Sequence, residues 1–135
     1  MRKFVGWCVA GMLLANVAMA GDVPVEVSKL GGSQIKLHIY PFLNAQDLKT
    51  LRLVATNKQA LAIFVPSNDK KLYAAMALAP DDGFLIDGAP AETAIAISNF
   101  ADAAAAAKQT AATCDAKRNK KGKPCVIVLE VGPAK

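Results

Sequence analysis

The chain has little with which to build a catalytic centre. It carries one histidine, His38, and three cysteines, and only 6% of its residues are aromatic. A lone histidine with no free cysteine beside it cannot complete the usual zinc ligand set, so no metal site is expected. Ser28, Ser33, Ser67 and Ser98 lie in turn or cap contexts, and none sits in a G-x-S-x-G elbow. No C-x-x-C spacing occurs, which leaves a thioredoxin-like redox role without support. Gly31-Gly32 is not followed by the pattern of a phosphate loop or a dinucleotide fingerprint. These absences leave no catalytic residue and no cofactor to name.

What is present begins at the N-terminus. Arg2 and Lys3 give a positive start, Phe4 to Val17 is mostly apolar, and Ala18-Met19-Ala20 places small residues where a signal peptidase reads them. That order is a secretory signal. It predicts cleavage after Ala20, with residues 1–20 as the signal peptide and residues 21–135 as a single domain, periplasmic or secreted. The apolar run is shorter than the roughly 20 residues of a membrane span, so no stable anchor remains after cleavage. Cys8 lies inside the run and leaves with it. The remaining chain keeps 14 of the 16 basic side chains against 11 acidic ones, a formal charge of +3. So mild a balance in an exported chain does not point to a nucleic-acid partner.

In an oxidising compartment the two remaining cysteines, Cys114 and Cys125, read as a disulfide. It closes a loop of about 12 residues, worth roughly 3 kcal/mol in the chain-entropy account.

Alternation marks the first elements. Val23, Val25 and Val27 alternate with polar residues, as do Ile35, Leu37 and Ile39. With Gly31-Gly32 between them, the two runs predict a hairpin. Asn44 then reads as a helix N-cap with Asp47 at N3, and Leu43 with Leu48 has the spacing of a hydrophobic staple. A helix is predicted from Ala45 to Thr56, stopped by Asn57. Ala60 to Val65 reads as a buried strand and Leu72 to Leu78 as its hairpin partner. Phe84 to Pro90 reads as a loop and Thr93 to Ile97 as a short strand. Asn99 reads as the cap of an alanine-rich helix reaching about Asp115, and Cys125 to Val131 as the closing strand.

The fold class is therefore α+β: a small antiparallel sheet of about five or six strands, two helices on one face, and one disulfide.

One dense charge run stands out. Lys117, Arg118, Lys120, Lys121 and Lys123 lie in the loop that the disulfide closes. They read as a solvated loop whose charge suits a helix C-terminus, or, more sharply, as an anion-binding surface. No aromatic is interleaved there, so base stacking is unsupported. His38 falls on the polar face of its strand and reads as a solvated surface residue. Asp81, Asp82 and Asp87 lack the spacing of an EF-hand loop, and turn chemistry accounts for them.

Pro41-Phe42-Leu43, Leu51 to Val54, Ala60 to Val65 and Pro80-Asp81-Asp82-Gly83-Phe84, with the ending Cys125 to Pro133 after an alanine-rich helix carrying Cys114, resemble small uncharacterised secreted proteins of alphaproteobacteria. Some similar short proteins carry a 5-aminolevulinate synthase label. That label implies a pyridoxal-phosphate enzyme, and 115 residues is far below the size such a fold needs. With no cofactor-lysine context visible, the activity is not carried over.

The leading expectation is a non-enzymatic periplasmic binding or interaction module, whose partner is an anionic surface or another periplasmic protein. The alternative is a small enzyme with an unidentified catalytic group. A concave pocket with convergent polar side chains favours the enzyme, and an exposed apolar or charged patch favours the module.

Overall fold

Glycine sets the first turn. The computed structural model describes residues 23–66 and 71–134; the export segment read at residues 1–20 lies outside them. Strands β1 (Val25–Leu30) and β2 (Ser33–His38) pair antiparallel across Gly31-Gly32. Gly31 takes φ 57°, the positive value that the first position of a two-residue hairpin turn favours.

Helix α1 (Ala45–Thr56) forms where local signals converge. The Asn44 side chain accepts from the Asp47 N–H at 2.8 Å, and the Asp47 carboxylate reaches back to the Asn44 N–H. Leu51, Val54 and Ala55 are buried on its inner face. Ser28 Oγ donates to the Ala55 carbonyl at 2.7 Å, fastening the helix over β1.

The apolar run after α1 is a helix, α2 (Lys58–Phe64), not a strand. Asn57 ends α1 and at once caps α2, its side chain accepting from the Ala60 N–H. Ala60, Leu61 and Phe64 turn toward the core while Ile63 is 75% exposed, which is helical spacing rather than alternation. The expected hairpin with Leu72–Leu78 therefore does not form.

That second run is instead the centre of the sheet. Strand β3 (Tyr73–Leu78) is followed by a short hairpin, β4 (Leu85–Ile86) and β5 (Ala89–Pro90), where a plain loop was expected. Asp87 and Gly88 both take positive φ, the requirement of a tight Asp-Gly turn. Strand β6 (Ile95–Phe100), helix α3 (Ala103–Lys117) and strand β7 (Val126–Pro133) complete the chain. The five long strands lie in the order β1-β2-β7-β3-β6, all neighbours antiparallel. The class is α+β, as the sequence predicts. Asp102 rather than Asn99 caps α3, because β6 continues to Phe100 to pair with Tyr73.

The helices do not share one face. Ala74, Met76 and Leu78 of β3 belong to the main core with Leu51, Val54, Ile35 and Leu37, beneath α1. Ala77 and the following Ala79 join Cys114 and Cys125 in a second cluster beneath α3. Side chains alternate across a strand, so α1 and α3 cover opposite faces. Both faces of β3 are buried, and its near-continuous apolar run reflects that.

Cys114 and Cys125 are bonded, with Cα atoms 6.1 Å apart. The bridge joins the last turn of α3 to the residue before β7.

Asp47 is the least ordinary core residue: a carboxylate only 1% exposed. It accepts from the Leu85 N–H at 3.0 Å and so ties the start of α1 to the β4 strand. Replacing it with alanine removes the cap interaction and leaves that N–H unpaired, together worth about 3 kcal/mol. Urea unfolding of Asp47→Ala is expected to show a lowered midpoint at unchanged slope. A loss below about 1 kcal/mol would show that water replaces the carboxylate freely.

Candidate functional site

Two surfaces carry the remaining polar chemistry, and α3 sets both. The first is the loop after its C-terminus. Asp115 and Arg118, one turn apart, hold it from beneath. Arg118 Nε donates to Asp115 Oδ1 at 2.7 Å, and its Nη1 donates to the carbonyls of Asn119 and Gly122, both at 3.0 Å. The same Asp115 oxygen accepts from the Cys125 N–H at 2.9 Å. Those donors hold the Asp115 carboxyl below its ordinary value, the Cys125 N–H most of all, then Arg118. Asp81 closes the other side by accepting from the Lys123 N–H. A Cβ at Gly122 would lie 2.1 Å from that Asp81 carboxylate, so the turn requires glycine there.

Of the five predicted anion-binding residues, Arg118 is turned inward and half-buried. Lys117, Lys120, Lys121 and Lys123 are exposed. Lys120 Nζ donates to the Asp115 carbonyl at 2.8 Å, covering the end of α3. Among the described residues no carboxylate pairs with the other three ammonium groups. The loop is thus ordered by one arginine, two carboxylates and a disulfide, and it presents lysines outward.

The second surface is the part of the sheet that α3 leaves open. The helix packs on β3, β6 and β7. Beyond it, Gln34, Lys36, Glu130, Gly132 and Tyr73 border a recess of about 230 Å³, with Ala103 at the start of α3 on its wall. His38 stands beside this recess and is not the solvated residue its strand position suggests. Its Nε2 lies 2.6 Å from Glu130 Oε2, and its side chain is 22% exposed. Tyr40 follows, its ring centroid 6.5 Å from that of His38. Burial, and then the Glu130 charge, raises the Tyr40 hydroxyl above its ordinary value. No serine, threonine or cysteine lines the recess. A second hollow, between Ile63, Phe64, Phe84 and Ala94, is lined only by apolar residues.

The acidic residues of the turns have separate duties. Asp82 accepts from the Thr93 hydroxyl at 2.7 Å, Asp81 serves the lysine loop and Asp87 makes its hairpin turn. Among the described residues, no group of three or more potential ligands could hold a metal ion, and no helix is long and apolar enough to cross a membrane. No family model, curated protein or solved structure matches the chain.

The loop's order has a pH signature. A carboxylate whose folded pKa is depressed contributes its order above the ordinary value, and that order is lost as pH falls through the lowered one. The Cys125 amide, followed by NMR from neutral pH to about pH 2, is expected to titrate with a midpoint below 3.8, the ordinary value for Asp115. A midpoint at or above that value would mean that Asp115 does not hold the loop in solution.

Proposed function

We propose that this chain is exported through a signal peptide cleaved after Ala20 and acts, in the periplasm or outside the cell, as a non-enzymatic binding module. It docks on an anionic surface through Lys117, Lys120, Lys121 and Lys123. The observation that carries this reading is the buttressed loop: Arg118 and Asp115 are used to order it, and the lysines are left facing solvent. Like charges held close together are costly unless a counter-charge screens them, and an anionic partner supplies it. The disulfide supports an oxidising compartment.

A second reading, a small enzyme, has one observation in its favour, the His38–Glu130 pair beside Tyr40. Nucleophilic catalysis would also need an adjacent hydroxyl or thiol, and the recess offers only the Tyr73 phenol. Binding is the better-supported reading.

Lysine near an anionic membrane contributes about 1 kcal/mol per residue. Neutralising Lys120, Lys121 and Lys123 together to alanine is therefore expected to weaken binding to phosphatidylglycerol-containing vesicles by on the order of 100-fold. The salt dependence should flatten. Stability should change little, because exposed charges contribute little to it. Binding equal to wild type would reduce the loop to a solvated connection. A measurable turnover abolished by His38→Ala would replace this reading with the enzymatic one.

A further inference from the structure

The recess on the open half of the sheet has hydrogen-bonding capacity that the protein does not use. Among the described residues, the Gln34 amide, the Lys36 ammonium and the Tyr73 hydroxyl have no hydrogen-bond or ion-pair partner, although all three border the same recess. Lys36 stands directly opposite Glu130 in the β2–β7 register, yet the Glu130 carboxylate turns to His38 instead. Gly132 lies opposite Gln34. A Cβ there would lie 2.6 and 2.7 Å from Tyr73 ring atoms, so glycine lets the ring lie against the sheet and form one wall.

We propose that this recess is a binding site for a small uncharged polyhydroxylated ligand, a saccharide unit. Charge balance is the first argument. Lys36 and Glu130 contribute one charge of each sign, and in an open recess single ion pairs are worth little, so a net charge on the ligand gains little. Donor–acceptor balance is the second. Lys36 only donates, Glu130 only accepts, and Gln34 and Tyr73 do both. A row of hydroxyls, each donor and acceptor at once, matches that mixture better than a phosphate or a carboxylate does. The third is shape. The Tyr73 ring, Pro133 and Ala103 give an apolar wall for the C–H face of a sugar ring. A volume of about 230 Å³ is below the range of drug-sized pockets, which starts near 300 Å³, and suits one ring. The site is separate from the lysine loop and does not rest on that reading.

The test is amide NMR on the purified chain, titrated separately with glucose and N-acetylglucosamine, and with glycine and inorganic phosphate as charged controls. Each is taken to about 50 mM, well above the ~1 mM dissociation constant expected of a small open site. Saturable shifts with at least one sugar are expected at Gln34, Lys36, Tyr73, Glu130 and Gly132. Gln34→Ala and Lys36→Ala, both at the sheet surface, should each weaken binding by roughly tenfold without changing the rest of the spectrum. No saturable shift with either sugar would overturn the assignment. So would saturation at these residues by glycine or phosphate alone, or unchanged affinity in both variants.

Discussion

The contact of α3 with the centre of the sheet is the constraint on which both candidate surfaces depend. On the sheet side it is made by Ala77 and Ala79, and on the helix side by Ala106, Thr110 and Cys114, which are buried along one row of α3. Small side chains let two backbones approach closely, but they bury little apolar area and so hold the contact weakly. The disulfide between Cys114 and Cys125 compensates by fixing the helix end to the start of β7. Narrow, close packing leaves the β1–β2 side of that face open, which is where the recess lies. The bridge also draws the 11-residue span from Cys114 to Cys125 into a short closed loop, which is where the lysines lie.

The other face is built differently. There α1 brings Leu51 and Val54 onto Ile35, Leu37, Met76 and Leu129, a conventional core of large aliphatic side chains. Asp47 adds a polar lock between the start of α1 and β4. The large apolar side chains thus gather beneath α1, while the open polar chemistry stands on the opposite face, beside α3. That division of labour lets surface residues such as Gln34 and Lys36 vary without disturbing the main core.

What could be read from the sequence was what local signals encode. The hairpin needed only alternation around Gly31-Gly32, and α1 only Asn44, Asp47 and the Leu43–Leu48 spacing. The disulfide followed from two cysteines in an exported chain. The apolar run from Ala60 to Val65 was misread because a short run looks the same in strand and helix; Asn57, a stop for one helix, is also the cap of the next. Asp87-Gly88 was a hairpin signal taken for a loop. The helix arrangement was legible in principle, since an unbroken run such as Tyr73 to Ala79 implies cover on both sides. The His38–Glu130 pair was not legible at all. It joins residues 92 apart in sequence and exists only because β7 inserts between β2 and β3. The inward turn of Arg118 had a signal, the Asp115 spacing of three, which a count of charges overlooks.

If the order of the loop matters and not merely its charge, then breaking the bridge without altering any lysine must weaken the docking. The direct measurement is the affinity of the double variant Cys114→Ser, Cys125→Ser for the anionic vesicles, at a temperature where circular dichroism shows it folded. The account predicts weaker binding than wild type, by roughly fivefold or more, as the ordering of the freed loop is charged against binding at about 1 kcal/mol or more. Equal affinity at equal charge would contradict it, and would mean that the lysines act as an unstructured polybasic segment.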